Sequence, residues 1–97
     1  MLVDMLHAFV LIDAAPGRVT ALAEALADLE GVTEVFSVAG DVADIIAIVR
    51  VQHHDELATV VTERIAGIDG IESTTTLVAF QAYSRHDLEA IWDLGAS

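Results

Sequence analysis

The side chains of this chain that could do acid-base, metal or hydroxyl chemistry are sixteen carboxylates, four histidines and the run Ser73-Thr74-Thr75-Thr76. The pairs His53-His54 and His86-Asp87 could suggest a metal ligand or a general base. Adjacent residues on a strand or at a helix start point apart, however, and no third ligand stands at a recognisable spacing, so solvated helix starts account for them better. No carboxylate pair has the spacing of an acid-base couple. No glycine-rich phosphate loop, serine elbow or zinc pattern occurs, and cysteine is absent, which removes thiol and disulfide chemistry. No catalytic residue, metal or cofactor is therefore expected. By spacing alone, Gly40-Asp41 is ordinary turn chemistry and Thr74 to Thr76 are ordinary β-branched strand formers. Trp92, with Leu88 and Ile91, is expected to form a packing face rather than a binding box.

Composition narrows the partners. The 97 residues read as one domain, 1–97, with no linker or low-complexity stretch. Sixteen acidic residues against four basic ones, none of them lysine, give a formal charge of -12. That balance argues against nucleic acid and against anionic membrane surfaces as partners. The apolar runs Ala8 to Ile12 and Ile45 to Val49 fall far short of the roughly 18 residues that span a bilayer. Asp4 and the lack of a basic start argue against a signal peptide, so a cytoplasmic location is expected. The apolar share of 55% exceeds that of an ordinary soluble domain, which predicts that another copy of the chain covers part of the surface.

The elements that must position these groups show themselves when the chain is shifted against itself by 39 residues. Ile12 then falls on Val51, Leu22 on Val61, Leu26 on Ile65, Leu29 on Ile68, Gly31 on Gly70 and Val32 on Ile71. Apolar stripe and glycine punctuation coincide, which predicts two strand-helix-strand units sharing one core. Met5 to Ile12 reads as the first strand, and Pro16 as the first position of a helix, where a missing N–H costs nothing. Val19, Leu22, Ala23, Leu26 and Leu29 make its apolar stripe, and Gly31 closes it. Val32 to Ala39 is the second strand, Gly40 to Ala43 a tight turn and Asp44 to Val51 the third strand, whose uninterrupted apolar run suits an interior position. Leu57, Val60, Val61, Ile65 and Ile68 mark a second helix, and Ile71 to Tyr83 a long fourth strand. Ser84 and Asp87 resemble a capping box for a short terminal helix, residues 84–94.

This order is the ferredoxin-like βαββαβ arrangement of the α+β class: a four-stranded antiparallel sheet with both helices on one face, plus the short C-terminal helix. It leaves one sheet face open. Packing that face against the same face of a second copy closes it symmetrically, so a homodimer is expected. Segment 84–94 has no place in the four-stranded core and is expected to pack on a neighbouring subunit.

Gly31-Val32-Thr33-Glu34-Val35, Val38-Ala39-Gly40-Asp41, Asp44-Ile45-Ile46 and Gly70-Ile71-Glu72-Ser73-Thr74-Thr75-Thr76 together resemble the effector-binding (RAM) domain of the Lrp/AsnC regulators. The resemblance runs from about Met5 to Tyr83 and implies the same ferredoxin-like dimer. Full-length members carry a helix-turn-helix domain before the first strand; this sequence resembles the stand-alone form, which implies no direct DNA binding. The resemblance further implies that an amino acid or related small molecule binds between dimers in a higher oligomer, at Gly40, Asp41, Asp44, Thr74 and Thr76. A carboxylate side chain can meet the ligand's ammonium, while turn N–H groups and hydroxyls meet its carboxylate. The family turn usually reads Gly, any residue, an aromatic, Asp. Here Gly40-Asp41-Val42-Ala43-Asp44 is one residue longer and lacks the aromatic, leaving the family role open between Asp41 and Asp44.

Three classes of function follow. The first is a non-catalytic effector-sensing and oligomerisation module related to transcription regulation, acting through its assembly or a partner regulator of the same family. The second is a small cofactor-free enzyme of the dimeric ferredoxin-like class, and the third a structural adaptor. Histidine, tryptophan or tyrosine converging beneath the helices would favour the enzyme; polar groups gathered between dimers would favour the sensor.

Overall fold

The computed structural model describes residues 5–83. The chain runs β1 (Leu6–Ala14), α1 (Val19–Ala27), β2 (Val32–Ser37), β3 (Ile45–Val51), α2 (His54–Thr59) and β4 (Ile71–Val78), with a π-helical stretch, Val60–Ile65, continuing α2. The four strands form one sheet in the order β2-β3-β1-β4, every neighbouring pair antiparallel. The ferredoxin-like βαββαβ arrangement expected from the 39-residue repeat is thus the observed one.

Strand alternation divides the sheet into two unlike faces. Ala8, Val10, Ile12 and Ala14 of β1 are buried beside Ile45, Ala47, Val49 and Val51 of β3. Leu22 and Leu26 from α1, with Leu57, Val60 and Ile65 from the second helical arm, close over them. No polar or charged side chain is buried among the described residues. On the opposite face the register aligns Phe36 with Ile46, Ile48 with Phe9, and Phe9 with Leu77, while Leu11 stands beside Ile46. Phe9, Phe36 and Leu77 are 37, 47 and 52% exposed in the single chain.

Local structure departs from the sequence expectations in several places. Pro16 does not start α1. The Arg18 N–H donates to the Ala15 carbonyl at 3.0 Å and Gly17 has φ +78°, so Pro16 and Gly17 form the centre of a turn and the helix begins at Val19. Gly31 does not close α1 directly: the helix ends at Ala27, and the glycine, with φ +95°, turns the chain into β2. Its repeat mate Gly70 has φ +98° at the entry to β4, so the shift superposes equivalent backbone turns. The second helix buries Val60 completely and leaves Val61 half-buried, because the π turn brings residues five apart, Val60 and Ile65, onto the core side. Finally, β4 ends at Val78 rather than Tyr83, with the Ala79 N–H donating to the His7 carbonyl at 2.8 Å. The expected terminal helix at 84–94 lies outside the described residues.

Candidate functional site

The β2–β3 connection is wider than a tight turn. It runs from Val38 to Asp44 and is closed by the Val38 N–H donating to the Asp44 carbonyl at 2.9 Å. Asp44 ties this loop to the sheet: its N–H donates to the Ile12 carbonyl at 3.0 Å, and its Oδ2 accepts the Ala14 N–H at 2.9 Å. One carboxylate oxygen therefore caps the end of β1. Gly40 and Asp41 lie further out on the exposed loop, and a Cβ built on Gly40 would meet nothing within 4 Å.

Thr74 and Thr76 stand on one face of β4, opposite Ile12 and Val10; Thr74 is exposed and Thr76 half-buried. Because Ile12 is the strand neighbour of Thr74 and also the hydrogen-bond partner of Asp44, these two residues flank β1 at the same end of the sheet. Two strand spacings separate them, about 10 Å. Thr76 sits one face-repeat further along β4, about 7 Å away. Gly40, Asp41, Asp44 and Thr74 thus lie toward one end of the sheet as an open polar rim, while Thr76 stands opposite Val10, the midpoint of β1. Asp13, whose Oδ2 accepts the Ser73 hydroxyl at 2.5 Å, lies at the same end of β1 but, by strand alternation, on the opposite sheet face from Thr74; the sequence did not single it out.

A second feature lies at the other end of β3. A cleft of about 380 Å³ is lined by Glu30 and Gly31 of the α1–β2 turn, Arg50 and Val51 of β3, Asp55, Glu56 and Thr59 of α2, and Arg64 of the π turn. Arg64 donates through Nη1 to the Glu30 carbonyl at 2.7 Å, and Arg50 faces Glu34 at 3.9 Å across an exposed ion pair. No motif spacing in the sequence links these positions, since four separate elements bring them together. Among the described residues no three His, Asp or Glu side chains converge as a metal site, and no helix is long and apolar enough to cross a membrane.

Comparison with known proteins gives a consistent outcome. The family profile of the Lrp/AsnC ligand binding domain matches residues 7–88. Among solved structures, TTHA0845 from Thermus thermophilus is 49% identical, with a TM-score of 0.77 over 82% of this chain and 99% of that one. PHS023 from Pyrococcus horikoshii is 28% identical, with a TM-score of 0.73 over 84% of this chain and 96% of that one. AsnC from E. coli is 28% identical with a TM-score of 0.75; the match covers 81% of this chain but 53% of AsnC, so this chain corresponds to about half of that regulator. No match was found among curated protein sequences.

Proposed function

This chain belongs to the Lrp/AsnC ligand-binding domain family, a regulatory effector-binding module, and on that premise we propose that it is a non-catalytic sensor of a free amino acid or related small molecule. The observation that carries this reading is where the polar groups lie. The helix-sheet interior is filled by Ala, Val, Ile and Leu, whereas Asp44 and Thr74 flank β1 at the sheet end, beside the loop holding Gly40 and Asp41. A rim of this kind needs a second surface to become a pocket. Two chains would pack through the open sheet face carrying Phe9, Phe36 and Leu77, and dimers would meet at the rim to complete the site in a higher oligomer. The C-terminal segment 84–94 would pack on a neighbouring subunit. In the cytoplasm, a partner regulator of the same family would read out the ligand through the assembly.

In this site the ligand ammonium meets Asp41 or Asp44, and its carboxylate meets the Gly40 N–H and the hydroxyls of Thr74 and Thr76. The test is a thermal-shift screen against the amino acids, followed by calorimetry of the best hit on Asp41→Asn, Asp44→Asn and Thr76→Val. Asparagine at 44 keeps an acceptor for the Ala14 N–H, so its effect reports charge rather than fold. Losing a charged hydrogen-bond partner costs about 1.5–3 kcal/mol, or roughly 10- to 150-fold in affinity. Parent-like affinity in all three variants would place the ligand elsewhere and leave the adaptor role in its stead.

A further inference from the structure

We propose that the cleft between the α1–β2 turn and α2 is a separate binding site for a basic amino acid, a ligand carrying one carboxylate and two cationic groups. It is independent of the rim described above. The rim's Asp44 precedes the first residue of β3 and the cleft's Arg50 and Val51 end that strand, so the two features lie about 20 Å apart along it.

The argument begins with the π turn. Were α2 to continue as an α-helix from Val60, the residue one turn on and facing the core would be position 64, an arginine. The π turn gives that place to Ile65, which is fully buried, and moves Arg64 to the cleft margin. Single π turns occur mostly inside α-helices and are frequent at functional sites. Gly31 supplies the floor. A Cβ there would lie 2.7 Å from Val60 Cγ2, so glycine is what lets this backbone pack against the helical arm, with the Arg64 guanidinium close by, its Nη1 3.7 Å from that same point.

Charge then selects the ligand. A guanidinium has five N–H donors. That of Arg64 spends one on the Glu30 carbonyl, and no carboxylate among the described residues stands within ion-pair distance of it. Glu30, Asp55 and Glu56 line the same cleft, and none of them is ion-paired among the described residues. Unlike charges therefore share one cleft without neutralising each other. A ligand with a carboxylate for Arg64 and ammonium or guanidinium groups for the acidic side would pair both. Three carboxylates face two arginines, one of them turned toward Glu34, so the lining is net negative and suits a ligand of net charge +1. A simple anion would meet the three carboxylates, and a plain diamine would leave Arg64 unmatched. The Thr59 hydroxyl donates to the Asp55 carbonyl at 3.1 Å, so recognition falls to the charged groups. The volume of about 380 Å³ lies within the usual range for small-molecule sites.

The experiment is calorimetry on the full chain with L-arginine, L-lysine, L-leucine and agmatine, which is arginine without its carboxylate. L-arginine or L-lysine is expected to bind at least 10-fold more tightly than L-leucine or agmatine. Arg64→Gln is expected to weaken L-arginine at least 10-fold and to abolish its advantage over agmatine. Glu56→Gln, an exposed change that leaves the core untouched, is expected to weaken both basic ligands and so decides the matter should Arg64→Gln fail to fold. Agmatine binding as tightly as L-arginine, no binding of either basic amino acid at millimolar concentration, or L-arginine affinity unaltered in Glu56→Gln would each overturn the proposal. Loss of L-arginine binding in Asp41→Asn or Thr76→Val, with Glu56→Gln unaffected, would overturn it in favour of the rim.

Discussion

Replacing Gly31 and Gly70 in turn by alanine separates backbone strain from packing at two positions that the repeat makes equivalent. Both glycines hold a left-handed backbone, φ +95° and +98°. An L-residue in that region costs about 1–2 kcal/mol, and this component is common to both sites. The surroundings differ. At Gly70 the new methyl would approach Arg18 Nε to 3.1 Å, and that exposed, flexible side chain can move away. At Gly31 it would lie 2.7 Å from Val60 Cγ2 and 3.5 Å from Val51 Cγ1, where carbon atoms prefer about 3.5–4.0 Å. Val60 is fully buried and β-branched, so it cannot swing aside, and overpacking of this kind costs about 1–3 kcal/mol. Gly70→Ala is therefore expected to lose about 1–2 kcal/mol and Gly31→Ala about 2–5 kcal/mol. Urea unfolding at a fixed protomer concentration measures both, because an oligomer's stability depends on concentration. Adding Val60→Ala to Gly31→Ala removes the clashing methyl, so the double variant should be more stable than the sum of its parts by about 1–3 kcal/mol. Coupling below about 0.5 kcal/mol, or Gly70→Ala proving as costly as Gly31→Ala, would refute the packing argument.

Three further outcomes are expected. Phe9→Glu places a charge at the centre of the open sheet face and should shift the sedimenting species toward the 10.3 kDa monomer with helix and strand content retained; an unchanged mass would refute the proposed dimer through this face. Leu22→Ala should cost about 2–5 kcal/mol in the helix-sheet core, and Val60→Ala should destabilise more than Val61→Ala; the reverse order in urea would contradict the π turn.

The sequence disclosed what recurs and concealed what is local. Gly31 and Gly70 were legible as a pair because their spacing repeats, and β3 as an interior strand because its apolar run is unbroken. Pro16 suited both a helix start and a turn, its fixed φ serving either; the glycine that follows it, adopting positive φ, decided for the turn. Val60 and Val61 are identical side chains, so a 39-residue shift could align only one of them with Leu22, and the π turn selected the other. The loop and threonine residues are singled out by the family pattern alone, and their arrangement depends on Asp44 being held by β1, a contact that no spacing encodes. The cleft charges come from four elements with no shared period, and only the fold gathers them.

The position of β1 in the sheet governs how the chain can assemble as it is synthesised. Its neighbours are β3 and β4, not β2, so the first 37 residues, which end with β2, contain no pair of strands that are adjacent in the native sheet. Hydrogen-bonded pairing begins only when β3 arrives and joins β2 and β1 at once, and the other edge of β1 stays bare until β4 emerges with partners such as Ala8 and Val78. Contacts so remote in sequence favour slow folding and prolong the time that apolar strand edges are unprotected. Each half of the repeat is consequently a poor folding unit by itself, and chain cleavage in the β2–β3 loop would yield two fragments that depend on each other for a sheet.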